Sequence, residues 1–512
     1  MHIGAKWREL AQRRGDHVAI VDDHGRWSYR DLHARIARLG NALAGLGLRK
    51  GDRVALLVPD IREYLEADYA IMSAGFVRVP LDPRLTGMEL TALLRYAGAA
   101  ALITHVSFAP TVAGLTGEIE SLRHIVWIGG NDSGDGPSHD YEALLRRASE
   151  QPLLLSPGDG DDLATLNFTG GTTGAPKAAM LQHRSLMAVA HNTIDGFGIS
   201  GDSVFLNVRP LWPIAQVILM SHLFAGATVV LRRFDPENFA LLVQQSGATR
   251  TSLVPTQLLR CLDHLRPRDE RLQRLQAIHI GGSRIPPAVF ERALEVIGPK
   301  IGVLYGLTEA PITCYLPPQA LAGAQAAGLG PIHSVGRVLG DYEVRILDTD
   351  VMPSNGSDRS GEVLIRGDNV MAGYWQDAAA TAASLRDGWL HTGDVGEFDA
   401  GGNLHIVGRL KDVIRSGSTS IIPKEVEDVI VQHPAVAEVA VIGLPDVEWG
   451  EAVTAFVVTK PGMSVAESDL VEHCRVRLAG YKKPRSIRFV ASLPRSHYGK
   501  VLRAQLSAQT TT

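Results

Sequence analysis

Short apolar runs alternate with windows of helical periodicity, and this alternation constrains the fold more than any other feature of the sequence. Residues 53–59, 76–80 and 99–104 have the apolar composition of buried strands. Residues 31–47 and 61–74 carry apolar side chains at the spacing of a helix. The repetition of strand, helix and strand predicts a parallel α/β sheet.

The same alternation resumes beyond residue 200. Helical windows at residues 236–246 and 287–297 separate further apolar runs that have the length of strands. The predicted strands are residues 204–208, 227–231, 252–254, 277–280 and 301–304. Two α/β units of similar size are therefore expected before residue 330.

The pattern changes after Pro331. Residues 342–348, 361–366 and 404–407 are predicted to be short strands with turn-rich connections, which is typical of a small β-rich subdomain. A smaller α/β unit follows from about residue 412. Its predicted helices and strands are residues 424–433, 436–442, 452–458, 465–478 and 486–490.

Composition and charge narrow the class of protein. The 512 residues are enough for two or three domains, and 45% hydrophobic with 21% charged residues is typical of soluble globular proteins. The formal net charge of −4 provides no basic surface for nucleic acid. The most apolar long stretch, residues 213–231, is interrupted by polar residues, so we expect buried core elements and no membrane span.

Cysteine usage and the N-terminal segment indicate the compartment. The cysteines are few and widely separated, and they match neither a disulfide framework nor a metal-binding spacing. The first sixteen residues carry charge throughout, which predicts an amphipathic helix and no secretory signal. We therefore expect a cytoplasmic protein. The cysteines are Cys261, Cys314 and Cys474.

A segment rich in glycine and threonine, LNFTGGTTGAPKAAM at residues 166–180, is the most informative motif. Glycines let the backbone approach an anion, threonine hydroxyls donate hydrogen bonds, and Lys177 supplies positive charge, so the segment suits a triphosphate. It is not the common loop GxxxxGK[ST], because Ala175 and Pro176 separate Gly174 from the lysine. Taken alone, it is equally consistent with a flexible structural turn.

Four further motifs carry charged residues that suit nucleotide chemistry. In YGLTEAP, Glu309 follows a predicted strand, where a carboxylate is a suitable magnesium ligand. In WLHTGD, Asp394 offers a carboxylate to both ribose hydroxyls, and in GRLKD, Arg409 adds a ribose or phosphate contact. In RSHYGKVLR, Lys500 follows a glycine in a basic loop. Each motif alone is more simply explained as a capped turn or a solvated charge.

Together and in this order, the motifs resemble the adenylate-forming superfamily of acyl-CoA synthetases, luciferases and peptide-synthetase adenylation domains. The resemblance covers almost the whole chain and is close to amide bond synthetase-like members. TGGTTGAPK is similar to the family's phosphate loop, usually TSGTTGxPKG, and Gly281 with Gly282 is similar to its adenine-side glycine pair. YGLTEAP, GWLHTGD, GRLKD, PKEVE, YKKP and GKVLR follow in the family's order and separations.

The resemblance implies a fold class and a domain division. It implies an α/β protein whose large N-terminal domain holds two α/β subdomains and a small β-rich subdomain, followed by a small mobile α+β C-terminal domain. The AMP-binding N-terminal domain would span residues 1–409, and the C-terminal domain with the catalytic lysine residues 410–512. In the family this smaller domain rotates about a hinge, and Lys411 matches the hinge position.

The resemblance also implies two half-reactions that use ATP, Mg²⁺ and CoA. A carboxylate attacks the α-phosphorus of ATP, which gives an acyl adenylate and pyrophosphate, and a second nucleophile then displaces AMP. Lys500 would bridge the carboxylate and the α-phosphate, Thr308 would contact the α-phosphate, and Glu309 would bind magnesium. The residues implied to bind ATP or AMP are Thr169, Gly170, Gly171, Thr172, Thr173, Gly174, Lys177, Gly281, Gly282, Tyr305, Gly306, Asp394 and Arg409.

Four departures from the family pattern bear on the substrates. Gly170 stands in place of a serine and Ala178 in place of a glycine, and we expect adenylation to survive both changes. Pro213 replaces a histidine that faces the acyl pocket in many relatives, which makes the pocket wall more apolar. Ser418 replaces a glycine near the path of the pantetheine arm, so Gly417 and Ser418 would line the acceptor tunnel.

The acid and its acceptor follow from the same resemblance. The residues implied to line the acyl pocket are apolar, which suits a hydrophobic ring or a medium alkyl chain. The leading hypothesis is an acyl- or aryl-CoA synthetase. The alternatives are an amide bond synthetase that passes the acyl group to an amine, an enzyme that loads a carrier protein, and a catalytically silent nucleotide-binding protein. The pocket residues are Trp212, Pro213, Val217 and Ile280.

Overall fold

The structure is a computed structural model that describes residues 2–130, 138–151, 160–169, 177–212, 215–321, 334–348, 360–417, 419–495 and 501–508. It divides the chain into two compact units. Unit 1 comprises Met1–Pro331, Leu339–Tyr342 and Arg366–Leu385, and unit 2 comprises Ile332–Val338, Glu343–Ile365 and Arg386–Thr512. The domain division at residues 409 and 410 stays a prediction.

Helices and strands alternate along most of unit 1, and strands dominate unit 2. The helices are α1 (Ile3–Arg13), α2 (Tyr29–Gly45), α3 (Arg62–Ser73), α4 (Gly87–Ala97), α5 (Ala109–Val112), α6 (Leu115–Glu118), α7 (Tyr141–Arg147), α8 (His183–Phe197), α9 (Ala215–Phe224), α10 (Phe239–Ser246), α11 (Pro255–Leu262), α12 (Pro287–Ile297), α13 (Ala378–Ser384), α14 (Pro423–Ile430), α15 (Glu467–Arg475) and α16 (Arg503–Ala508). The strands are β1 (Val18–Val21), β2 (Arg26–Ser28), β3 (Arg53–Leu57), β4 (Val77–Pro80), β5 (Ala99–His105), β6 (His124–Ile128), β7 (Ser138–Asp140), β8 (Leu163–Thr169), β9 (Lys177–Gln182), β10 (Val204–Asn207), β11 (Thr228–Leu231), β12 (Arg250–Leu253), β13 (Ala277–Ile280), β14 (Ile301–Tyr305), β15 (Cys314–Leu316), β16 (Ser334–Val338), β17 (Glu343–Leu347), β18 (Gly361–Arg366), β19 (Leu385–Arg386), β20 (Trp389–Phe398), β21 (Leu404–Arg409), β22 (Ile414–Ser416), β23 (Thr419–Ile421), β24 (Val436–Asp446), β25 (Gly450–Thr459) and β26 (Ser486–Phe489).

Sheet 1 contains the first α/β unit, with the strand order β7-β6-β5-β3-β4-β8-β9 among the described residues. Its neighbouring strands are parallel except β8 and β9, which form an antiparallel pair. Leu90 and Leu94 of α4 pack against Ala55 and Leu102 in a buried cluster on this sheet. Parallel strands covered by helices are continuous apolar runs, which is why the sequence predicts them well.

Sheet 2 contains the second α/β unit. Within the described part of unit 1 its order is β15-β14-β13-β12-β10-β11-β1-β2. The outer strands β15 and β2 are antiparallel to their neighbours, and the strands between them are parallel. The carboxyl ends of β10, β12, β13 and β14 therefore share one edge of the sheet, which is where open α/β sheets bind ligands.

Unit 2 contains two smaller sheets. Among the described residues, sheet 3 has the order β17-β18-β20-β21-β16, and sheet 4 has the order β23-β22-β25-β24 with β26 parallel to β25. Val426 of α14 and Leu470 of α15 pack against Val441 and Val453 of sheet 4 in a buried cluster. Two helices on a mostly antiparallel sheet form an α+β unit.

The predicted α/β fold class, with a large N-terminal part and a small C-terminal part, is confirmed. The strand predicted at 277–280 and the helix predicted at 287–297 have the predicted bounds, and the charged N-terminal segment forms α1. The apolar stretch at 213–231 contains α9 and β11. Among the described residues, no helix has both the length and the apolar character needed to cross a bilayer. The mobility of the C-terminal part stays a prediction.

Candidate active site

Candidate nucleotide-binding residues follow two neighbouring strands of sheet 2. Gly281 and Gly282 come directly after β13, and Tyr305 is the last residue of β14. Thr308 and Glu309 follow, and both side chains are half-buried. Because β13 and β14 are parallel and paired, these residues lie at the same carboxyl edge of the sheet.

A tight turn after β14 presents the carboxylate of Glu309. The Leu307 N–H donates a 3.0 Å bond to the Ala310 carbonyl and closes the turn. A Cβ at Gly306 would lie 2.3 Å from the backbone nitrogen of Ile312, so any other residue there would displace the backbone. Glycine at this position is therefore required for the turn itself.

One tyrosine connects two of the predicted charged residues. The Tyr374 hydroxyl donates a 2.8 Å hydrogen bond to Glu309 Oε1. The Lys177 Nζ lies 5.2 Å from the centroid of the Tyr374 ring, which is within cation–π range. The structure thus places Lys177 and Glu309, from two separate motifs, around a single side chain that the sequence reasoning missed.

Tyr374 belongs to residues 371–375, which we call the strap. Its backbone pairs with β9 through an antiparallel bridge between Ala179 and Tyr374. The Met371 N–H donates a 2.8 Å bond to the Glu309 carbonyl at the other end of the strap. The strap therefore fixes both charged motifs through the backbone. No periodic pattern marks five residues of this kind, so the sequence holds no signal for them.

The glycine-rich motif lies between two paired strands. Thr169 ends β8, Lys177 begins β9, and the two residues are register partners. The Thr169 side chain is half-buried and the Lys177 side chain is exposed. Residues 170–176 of the motif lie outside the described part of the chain. The predicted ATP-binding residues among them are Gly170, Gly171, Thr172, Thr173 and Gly174.

The predicted ribose-binding pair lies in unit 2. Asp394 of β20 and Arg409 of β21 are register partners, and the Arg409 Nε lies 2.9 Å from Asp394 Oδ1. Asp394 is only 3% exposed, and its N–H donates a 3.0 Å bond to Thr392 Oγ1. The arginine compensates the buried negative charge of the carboxylate and holds it in one orientation.

A second carboxylate supports the turn that carries Asp394. Glu362 is buried, and its Oε1 accepts the Gly393 N–H at 3.1 Å. Its Oε2 lies 2.8 Å from His391 Nδ1. The register of β18 and β20 shifts between Glu362 and Leu364, which directs Glu362 toward the turn. A register shift of this kind has no signature in the sequence.

The remaining unit 2 predictions are only partly described. Lys411 is exposed in a 3₁₀ turn at Leu410–Asp412. The exposed Gly417 donates its N–H to the Trp449 carbonyl at 2.7 Å. Ser418 and Lys500 lie outside the described residues. The hinge, tunnel and catalytic-lysine assignments stay predictions.

The residues predicted to line the acyl pocket come from the segment after β10, from α9 and from β13. Trp212 follows β10 and donates its indole Nε1–H to the Pro80 carbonyl at 3.1 Å. Val217 in α9 and Ile280 at the end of β13 are buried. Pro213 lies outside the described residues. Apart from the indole N–H, the three described side chains are apolar, and their grouping into one pocket stays a prediction.

The donor set around Glu309 fits a magnesium ion that arrives with a nucleotide. Mg²⁺ is commonly held by one or two carboxylates together with substrate phosphates. Glu309 offers a half-buried carboxylate whose Oε1 is oriented by Tyr374. Among the described residues, no three or more histidine, cysteine or acidic side chains are grouped so that they could hold a metal ion.

Comparison with known proteins assigns the family. The model for AMP-binding enzymes matches residues 7–375, and the model for the AMP-binding enzyme C-terminal domain matches residues 425–500. A feruloyl-CoA synthase from an Amycolatopsis species is 36% identical over 504 residues, which cover 98% of this chain and 97% of that enzyme.

Two solved structures share the fold over almost the full length. ATP-bound MatB from Rhodopseudomonas palustris superposes with a TM-score of 0.87 at 29% identity, covering 99% of both chains. The amide bond synthetase McbA from Marinactinospora thermotolerans gives a TM-score of 0.85 at 29% identity, also over 99% of both chains. The chain belongs to the AMP-binding enzyme family and is an AMP-forming ligase. The predicted family and the predicted enzyme class are therefore confirmed.

Proposed function

We propose that the protein uses ATP to activate an apolar carboxylic acid as an acyl adenylate, releases pyrophosphate, and transfers the acyl group to CoA. The observation that carries this proposal is that Lys177 and Glu309 both contact the side chain of Tyr374. A nucleotide polyphosphate needs a cation for its oxygens and a carboxylate for its metal ion. Both are provided beside the carboxyl edge of sheet 2.

The first half-reaction joins two anions. The acid's carboxylate attacks the α-phosphorus, and the bond from that phosphorus to the β-phosphate oxygen breaks to release pyrophosphate. Charge neutralisation therefore dominates the catalysis. In the proposed arrangement Lys177 and Thr169 hold the outer phosphates, Thr308 contacts the α-phosphate, and Lys500 bridges the carboxylate and the α-phosphate. Mg²⁺, held by Glu309 and phosphate oxygens, would supply further positive charge.

The ribose would be held by Asp394 in unit 2. A carboxylate accepts two hydrogen bonds, and the two ribose hydroxyls are neighbouring donors. The ion pair with Arg409 fixes the direction of the oxygens of the buried Asp394. Glu362 accepts the Gly393 N–H in the same turn, so we propose that Asp394 is held in position before nucleotide binds.

The acid is proposed to be apolar because Trp212, Val217 and Ile280 offer mainly hydrocarbon surface. CoA is the proposed acceptor because the feruloyl-CoA synthase resembles this chain over nearly its full length. The similarity to an amide bond synthetase and the serine at position 418 favour one alternative, transfer of the acyl group to an amine. A carrier protein is the remaining acceptor.

The test is pyrophosphate release from ATP and Mg²⁺ across a panel of aromatic and alkyl acids. We expect release that depends on the acid, and its loss in a Glu309→Gln variant. Glu295→Gln, which changes an exposed glutamate in α12, is the matched control and should retain activity. If no acid supports release by the wild-type enzyme, the proposal fails.

The acceptor is tested in the same assay by adding either CoA or an amine. Formation of an acyl-CoA supports the leading proposal. Product with the amine alone would replace it by the amide bond synthetase activity.

A further inference from the structure

Tyr374 contacts both charged residues of the candidate polyphosphate site. Its hydroxyl donates a hydrogen bond of 2.8 Å to Glu309 Oε1, and the centroid of its ring lies 5.2 Å from the Lys177 Nζ. The two contacts use different parts of the side chain, because the hydroxyl serves the carboxylate and the ring face serves the ammonium group. Removing the hydroxyl alone therefore separates the two contacts.

The strap holds Tyr374 rigidly. The Trp375 N–H donates to the Ala178 carbonyl at 2.8 Å, and the Met180 N–H donates to the Gly373 carbonyl at 2.9 Å. These bonds pair the strap with β9 on both sides of Tyr374, so the phenol position depends directly on the strand that begins with Lys177.

Two features next to Tyr374 specify the course of the strap. Gly373 has a φ of +141°, and a Cβ there would lie 2.8 Å from the Thr381 side chain. The Tyr374 N–H donates to Thr381 Oγ1 at 2.9 Å. The position of the phenol is therefore fixed by backbone contacts on both sides, independently of its own hydroxyl.

We propose that Tyr374 is a positioning residue that orients the Glu309 carboxylate for the divalent cation of the bound nucleotide and holds Lys177 for its phosphates. This inference rests on the proposed function, because it takes the ligand to be ATP with magnesium. It predicts that the Tyr374 hydroxyl strengthens ATP binding only when Mg²⁺ is present. The Tyr374 ring, in contrast, strengthens ATP binding equally with and without Mg²⁺.

The experiment is calorimetric titration of ATP into the enzyme without any acid, so that no turnover occurs. Each protein is measured in Mg²⁺ and in EDTA, and the ratio of the two Kd values gives the enhancement by magnesium. In Tyr374→Phe we expect this enhancement to fall about tenfold, the effect of one hydrogen bond to a charged group. The Kd in EDTA should stay within about twofold of wild type, because the ring and its contact with Lys177 remain.

Tyr29→Phe is the matched control. The Tyr29 hydroxyl is buried and lies 2.8 and 2.7 Å from the carbonyl oxygens of Leu223 and Ala227, which share its one proton. Its loss costs a buried hydrogen bond without touching the site, so the enhancement by magnesium should match that of wild type. A double variant with Glu309→Gln completes a mutant cycle, and in that background Tyr374→Phe should have no further effect on the enhancement.

The outcomes separate this inference from the proposed function. If the wild-type enzyme binds no ATP, the proposed function fails. If wild type shows the enhancement and Tyr374→Phe retains it within about twofold, or if Tyr29→Phe loses it equally, the positioning role is wrong.

Should Tyr374→Phe not fold, Thr381→Val replaces it. That variant removes the acceptor of the Tyr374 N–H and leaves the phenol unchanged. We expect it to lower the enhancement about threefold, and an unchanged enhancement overturns the inference.

Discussion

Lowering the pH from 7 to 5 should destabilise unit 1 strongly, because three histidines are buried there in the neutral state. They are His183 at the start of α8, His222 in α9 and His279 in β13, and none has any exposed surface. Burial lowers the pKa of both His183 and His222 to about 3. Burial also lowers the pKa of His279 well below its ordinary value.

The contacts of these rings show why a second proton is unfavourable. His222 Nδ1 lies 2.8 Å from the Ile218 carbonyl and therefore carries the proton of the neutral ring. The Tyr315 hydroxyl lies 3.0 Å from His279 Nδ1. The Nε2 atoms of His183, His222 and His279 are buried without a hydrogen-bond partner among the described residues. A charge on such a ring would be neither solvated nor paired.

The direction and the magnitude of this change in stability follow from proton linkage. The unfolded chain takes up protons near the ordinary histidine pKa of 6.5, whereas the folded rings stay neutral to much lower pH. Their contribution to stability is complete above pH 6.5 and is lost as the pH falls below it. Each pH unit below 6.5 costs about 1.4 kcal/mol per histidine, so at pH 5 the loss is about 2 kcal/mol for His222 and about 4 kcal/mol for His183 and His222 together. His279 adds to this loss in the same direction.

The assay is urea unfolding followed by tryptophan fluorescence at pH 7 and pH 5. Carboxylates also titrate in this range, so the informative quantity is the difference between wild type and a His222→Asn variant. Between pH 7 and pH 5, we expect the free energy of unfolding to fall by about 2 kcal/mol less in the variant than in wild type. His191→Asn, which changes a histidine whose side chain is 75% exposed, should behave as wild type.

Equal losses of the free energy of unfolding in His222→Asn and in wild type between pH 7 and pH 5 would exclude the destabilising role of His222. The same holds if His191→Asn reduces the loss as much as His222→Asn does.

Three further predictions concern single residues. Asp68 pairs with the fully buried Arg78 at 2.6 Å, so Asp68→Asn should lower the free energy of unfolding by about 3–5 kcal/mol, and a loss below about 1 kcal/mol in urea unfolding would contradict this. Asp394→Asn should raise the Kd of ATP about tenfold in calorimetry, whereas an unchanged Kd would exclude Asp394 from the ribose site. Lys500→Ala should abolish adenylation in pyrophosphate-release assays but retain transfer from supplied acyl adenylate, and equal loss of both steps would argue against a moving lysine.

The α/β architecture is readable from the sequence because buried parallel strands must be apolar along their whole length. The strand β13 and the helix α12 are predicted with their observed bounds for this reason. The strand β9, KAAMLQ, lacks the β-branched and aromatic residues that mark a strand, and its pairing with β8 decides its conformation. The sequence therefore indicates the phosphate-loop motif but not the hairpin that carries it.

The charged residues of the candidate site are predicted from the motifs, but their supporting partners are not. The strap pairs with Ala179 of β9 through an isolated bridge, and from there the Tyr374 hydroxyl reaches Glu309. Glu362 reaches Gly393 through a shifted register. Both depend on contacts between segments far apart in sequence. The positions of Tyr374 and Glu362 are set by the tertiary structure, and the spacing of motifs along the sequence carries no information about such contacts.

The paired ends of the glycine-rich motif have a consequence for engineering the enzyme. Thr169 and Lys177 are register partners, so the pairing of β8 with β9 holds these two side chains next to each other. The entropy of bringing them together is thus met during folding of sheet 1, before any ligand arrives. An engineered change of nucleotide preference should therefore keep the residues that pair β8 with β9, because weakening that pairing would also separate Thr169 from Lys177.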